Sequence, residues 1–221
     1  MKREKITSNL GIILTVGSIW GLVEFGAGMG LQKCATLITG AVLAGLSFFW
    51  FSFIWTTVRR VIPIIMIVVI AMLLKWLDAW LLHIAWNHGS VLNPMFAFVT
   101  AMIGFLVFIS LFRKRFSERL WIRVLVGGGA ALIAVSLFPL VGFATGSVAC
   151  KYAATNIPLA IYTAPVAIFI SMVTVPLGYR AALWYRHRAS DPEHRSVWLQ
   201  RIWSPAVLAV CVLIMILVRI I

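Results

Sequence analysis

Acidic residues are scarce in this sequence. Asp and Glu together number 6 in 221 residues, against 19 Lys and Arg. Charged residues of both signs make up 11% of the chain, where a soluble domain carries about a quarter. A soluble fold of this length has too much surface to cover with so few charges, so a cytosolic enzyme is excluded. Cysteine is also sparse. Cys34, Cys150 and Cys211 are scattered, with no CxxC, which excludes the usual zinc patterns and a disulfide-stapled secreted module. No low-complexity tract or internal repeat is visible, and the chain does not read as disordered. Catalytic signatures are missing too: no HExxH, no nucleotide loop, no assignable Ser/His/Asp set. The expectation is a non-enzyme without a resident cofactor.

What the chain does have is apolar bulk. Hydrophobic residues make up 62%, and the mean hydropathy is +1.03. These values describe an integral membrane protein. The formal net charge of +13 would suggest nucleic acid in a soluble protein. In a membrane protein it reads as topology signal and contact with lipid headgroups, so no nucleic-acid partner is expected.

Apolar stretches long enough to cross the hydrocarbon core are separated by short polar breaks. The pattern predicts an all-α fold, a polytopic transmembrane helical bundle in a single domain over 1–221. About seven spans are expected, at 9–31, 35–56, 62–83, 94–112, 121–143, 157–183 and 204–221. Arg59-Arg60 is the only break between the second and third. Pro63 suits the first turn of a new helix. Asn93-Pro94 marks another start, and Ser204 is placed as an N-cap before Pro205. With the N-terminus inside, the inner segments hold Lys2, Arg3, Lys5, Arg59, Arg60, Arg113, Lys114, Arg115, Arg119, Arg123, Arg180, Arg186, Arg188, Arg195 and Arg201. The outer side holds Lys33, Lys151 and Arg219. This asymmetry predicts N-in, C-out in a bacterial inner membrane. Cys34 and Cys150 then share the outer aqueous face, which leaves a disulfide between them open. The basic start resembles a signal peptide, but the apolar run is too long and contains Glu24, so it reads as a retained first span. Trp55, Trp121, Trp184, Trp198 and Trp203 fall near span boundaries, as interface anchors do.

Three charged residues sit inside predicted spans: Glu24, Lys75 and Asp78. Each costs at least ~2.5–3.5 kcal/mol at membrane depth and needs a partner, a cavity or a function. Gly17, Gly21, Glu24 and Gly28 follow a +4, +3, +4 spacing that puts them on one helical face, and Trp20 flanks Glu24 one turn earlier. Glycines allow a second helix to come close. Lys75 and Asp78 are three apart and can pair along the third span. If all three ionise and meet, the site carries net −1, which suits a cationic or metal substrate; a protonated Glu24 would leave it neutral. On the chosen topology these residues lie in the outer half of the membrane. The outer loop adds His83, Trp86, Asn87, His88 and Asn93. An outward-open pocket for a small-molecule ligand is therefore expected, lined by Trp20, Glu24, Lys75, Asp78, His83, Asn87, His88 and Asn93. His83 and His88 are five apart, which is not a helical ligand spacing, and both also read as ordinary interfacial histidines; no metal site is assigned. Gly127-Gly128-Gly129 reads as a helix-packing patch, and Pro158, Pro165 and Pro176 punctuate the sixth span, where kinks or packing are both open.

The run Gly17-Ser18-Ile19-Trp20-Gly21-Leu22-Val23-Glu24-Phe25-Gly26, with Leu74-Lys75-Trp76-Leu77-Asp78 and Asn93-Pro94, resembles a group of bacterial membrane proteins. That group is similar to the substrate-binding S components of energy-coupling factor (ECF) transporters. The motifs, WGxxE and KxxD, are short. The resemblance implies a small helical bundle that takes a micronutrient from outside and docks on a transmembrane coupling protein driven by two ATPases. It also implies a small-xxx-small docking face on the first helix, matched by Gly17 and Gly21. Two features depart from the pattern. S components typically have six spans, and the seven-span cobalt and nickel types carry an N-terminal histidine motif that Met1-Lys2-Arg3 does not match.

Two functions follow. One is the ligand-capturing membrane subunit of a vitamin- or metal-type importer. The other is an accessory subunit of a larger membrane enzyme, with Glu24, Lys75 and Asp78 as structural ion pairs or a proton path. A lone gradient-driven transporter fits less well, because such folds usually show two related halves.

Overall fold

The Arg59-Arg60 break ends one helix, and Pro63 sits in the first turn of the next, where its missing N–H costs nothing. The computed structural model describes the backbone of residues 2–30, 37–146, 159–189 and 197–220, and the side-chain surroundings of 10–26, 40–146, 161–188 and 203–219. Cys34, Cys150 and Pro158 lie outside the described residues, as do the side-chain surroundings of Gly28 and Trp198. Those described form helices and short connections only: α1 (Lys2–Gly30), α2 (Leu37–Val58), α3 (Ile62–Leu81), α4 (Gly89–Phe112), α5 (Leu120–Leu137), a 3-10 turn (Phe138–Leu140), α6 (Val141–Thr145), α7 (Leu159–Ala189) and α8 (Val197–Ile220).

Among the described residues, five helical segments are long and apolar enough to cross a membrane: Gly40–Val58, Ile62–Leu81, Gly89–Phe112, Leu120–Thr145 and Ile161–Arg188. The architecture is that of a multi-pass membrane protein. The described parts of α1 and α8, Leu10–Gly26 and Trp203–Arg219, are shorter apolar helices.

Several helix boundaries differ from those the hydropathy predicts, those of α4, α8 and α7 among them. α4 begins at Gly89, not at Pro94. His88 supplies its N-cap, the ring Nδ1 accepting from the Ser90 N–H at 3.2 Å, and Pro94 lies inside the helix. α8 begins at Val197, so Ser204 is a buried residue within the helix and not a cap. α7 runs on to Ala189 through Arg186, His187 and Arg188, since polar residues end an apolar run without ending a helix.

Small residues sit at each main seam, because in a membrane close packing rather than water exclusion holds helices together. Gly17 and Gly21 of α1 abut Ile70 and Leu74 of α3. The two contacts advance together, so α1 and α3 run in the same direction. Gly45 of α2 meets Ile170 of α7, and Gly178 of α7 meets the Phe49 carbonyl. Ser52 Oγ donates to the Val175 carbonyl at 2.7 Å across the same seam. Gly104 of α4 rests on the Ala130 carbonyl of α5, and Gly127 of α5 on the Ser171 carbonyl of α7. The main core gathers Trp20, Phe48, Phe51, Phe98 and Phe105 from α1, α2 and α4. α8 packs chiefly on α1, where Met215 joins Phe25 and Leu74 in a smaller cluster.

Two belts of exposed tryptophan mark the ends of the bundle. Trp76, Trp80 and Trp86 lie at one end; Trp121, Trp184 and Trp203 lie at the other. Among the described residues the second end carries nine exposed cations, Arg59, Arg60, Arg113, Lys114, Arg115, Arg119, Arg180, Arg186 and Arg188, and half-buried Arg123. Among the described residues the first end has two cations, Lys75 and Arg219. Trp55 is not an exposed anchor: it is buried, with the Arg113 guanidinium 5.7 Å from its ring centre.

Candidate functional site: a buried charge cluster

Among the described residues, the sparsely charged half of the bundle holds its charges in one place. Asp78, on the last turns of α3, is the hub. Lys75 Nζ donates to its Oδ2 at 3.1 Å, one turn away on the same helix. Arg219, in the last turn of α8, donates from Nε at 3.1 Å and from Nη2 at 2.8 Å, both to Oδ1. The Asp78 side chain is almost wholly buried, and both cations are nearly so. A buried carboxylate near the negative end of a helix is unfavourable by itself. Two cations offset that, and a cation in the last turn of α8 is well placed for the dipole of its own helix. The Arg219 guanidinium also lies 4.9 Å from the Phe25 ring centre, an arrangement that gains from desolvation.

Glu24 is buried beside this network. Trp20 Nε1 donates to its Oε1 at 3.3 Å, an i,i+4 contact along α1. Lys75 is close enough for its charge to act on the carboxyl. Trp20 is fully buried, edge-on to Phe51 at 5.5 Å and tilted against Phe98 at 5.0 Å. The indole therefore links the charged group on α1, α3 and α8 to the aromatic core on α2 and α4.

The structure brings together Trp20, Glu24, Lys75 and Asp78. His83, Asn87 and His88 are exposed in the connection after α3 and take no part in the cluster. His83 adopts a left-handed backbone, φ 54°, just past the end of α3, and His88 caps α4. Asn93 is half-buried in the first turns of α4. Gly17 and Gly21 face inward, their surface filled by α3.

Arg219 is not a free cation of the outer surface, as its place at the end of an apolar run suggests, but a member of the site. With it, the cluster holds two acids and two bases, so the fully ionised set is neutral rather than −1. The one available signal was an arginine at the end of an otherwise apolar final helix, and its partner is 141 residues away.

Depth follows from helix geometry. Asp78 is sixteen residues beyond Ile62, about 24 Å along α3. The cluster thus lies near one edge of a hydrocarbon core ~30 Å thick, level with Trp76 and Trp80. Chemically it offers a carboxylate on a single long hydrogen bond, an ion network already balanced, and an aromatic wall.

No protein-family model, curated protein or solved structure matches the chain.

Proposed function

We propose that this is a ligand-capturing membrane subunit, with seven spans, N-in and C-out in a bacterial inner membrane. It takes a small polar molecule at the outer edge of the bundle and relies on partner subunits for energy. The carrying observation is Glu24. A buried carboxylate has about four lone-pair sites. Among the described residues one of them is taken, by an indole at 3.3 Å. That spare accepting capacity, beside a neutral Lys75–Asp78–Arg219 network, suits a ligand that brings its own N–H or O–H donors. The excess of cations at the opposite end supports placing that end in the cytoplasm. The resemblance of the Trp20–Glu24 and Lys75–Asp78 motifs to ECF S components agrees with this reading. The face of Gly17 and Gly21 is occupied by α3, so a coupling protein would dock elsewhere.

A second reading, an accessory subunit of a membrane enzyme, is favoured by Asp78. Its two oxygens are already shared between Lys75 and Arg219, as in an ion pair whose task is to hold helices. Mild-detergent purification with identification of bound proteins separates the two. A coupling protein with ATPases supports the capture subunit; a large enzyme in fixed stoichiometry supports the accessory one.

A further inference from the structure

Among the described residues at the basic end, one arginine differs from the other nine cations. Arg123, in the first turn of α5, is half-buried, and its guanidinium lies over the Tyr179 ring of α7, 4.0 Å from the ring centre. Its Nε is buried without a hydrogen-bond partner. Among the described residues Arg123 makes no ion pair and no hydrogen bond. Its two terminal nitrogens are not sealed in this way and have no acceptor among the described residues, so they are the guanidinium groups open to an outside anion.

The surroundings concentrate positive charge. Arg119, the N-cap residue of α5, makes no side-chain cap, and the first turn holds no acid. The unpaired N–H groups there add the positive end of the helix dipole. Glu118 is the nearest acid in sequence; it is exposed and forms no ion pair among the described residues. The corner is also built and rigid. Tyr179 donates its hydroxyl to the Ser117 carbonyl at 3.1 Å, and Phe116 packs edge-on against its ring at 5.7 Å. Exposed Trp121 and Trp184 set this corner at the membrane interface, where the available anion is a lipid phosphate.

We propose that the Arg123–Tyr179 corner, with Arg119, holds the phosphate of an anionic phospholipid at the basic end of the bundle. Arginine suits this task because its planar fork matches two phosphate oxygens while its face stays on the ring. The proposal rests on the multi-pass membrane architecture and on neither orientation nor ligand capture.

The test uses the full chain, purified in detergent and stripped of lipid. Native mass spectrometry then follows binding of phosphatidylglycerol, with phosphatidylcholine and inorganic phosphate as the other probes. The wild type should prefer phosphatidylglycerol to phosphatidylcholine. Arg123→Gln should lower that binding about tenfold, while Arg60→Gln, which removes the same charge from an exposed site, changes it less than about twofold. If Arg123→Gln does not fold, Arg123→Lys decides. The compact ammonium lacks the fork, so a several-fold loss supports the site. Equal binding of the two lipids overturns the proposal, as does unchanged binding in the Arg123 variants. Full displacement by millimolar inorganic phosphate would show a free-anion site and also overturn it.

Discussion

Arg219 holds Asp78 across 141 residues, with two guanidinium nitrogens on one carboxylate oxygen at 3.1 and 2.8 Å. This contact ties the last helix to the third and completes the charge balance of the cluster. Glu24, Lys75 and Asp78 reside inside helices because Arg219 and Trp20 share the electrostatic work.

Removing Arg219 should therefore be more damaging than removing Lys75. Arg219→Gln leaves a buried carboxylate with one cation and should destabilise the protein by about 3 kcal/mol. Lys75→Gln keeps the two Arg219 bonds and should cost less. Adding Asp78→Asn to Arg219→Gln should recover part of the loss. Thermal unfolding in detergent of the wild type, Arg219→Gln, Asp78→Asn and the double variant gives the coupling, and purely additive effects would show that the pair is not linked.

The Trp20–Glu24 bond separates shape from charge. Glu24→Gln keeps an amide oxygen for the indole N–H, so stability should change by less than about 1 kcal/mol. Glu24→Leu leaves the buried N–H without an acceptor and should cost about 1–3 kcal/mol. Unfolding midpoints of the two variants, side by side, check this.

The glycine seams should rank by what an added methyl meets. At Gly127 and Gly178 it would strike backbone carbonyls, of Ser171 and Phe49, which cannot move alone. At Gly21 it meets the Leu74 side chain, which can change rotamer. Gly127→Ala and Gly178→Ala should each lose about 1–3 kcal/mol, and Gly21→Ala less. Detergent melts again provide the comparison.

Orientation is open to labelling. In a background lacking Cys34, Cys150 and Cys211, His88→Cys should react with a membrane-impermeant maleimide in intact cells. Arg60→Cys should react only after the membrane is opened. The reverse pattern would place the cluster on the cytoplasmic side.

Local patterns made much of this legible. Hydropathy marks the long helices, and the i,i+3 spacing of Lys75 and Asp78 shows their pairing because a helix brings such residues together. The Gly17–Gly21 spacing predicts a close seam, but not that α3 fills it. Arg219 stayed hidden because its contact depends on where α8 packs, which no spacing encodes. The same applies to Arg123 and Tyr179, two ordinary residues until α5 and α7 meet. His83 and His88 share an end with the cluster, yet the end of α3 and the start of α4 hold them at the surface. Capping chemistry explains the start of α4 better than hydropathy does: His88 binds the Ser90 N–H, while Pro94 is only a tolerated residue inside the helix.

Capture of a small polar molecule at Glu24, as proposed above, is open to direct measurement. The most direct measurement is mass spectrometry of small molecules retained by wild-type protein and by folded Glu24→Gln, both purified in mild detergent from the same cells. One species is expected at near-stoichiometric level in the wild type and at least about tenfold less in the variant. The same species at the same level in both, or none in either alongside a tightly bound membrane enzyme, would contradict it.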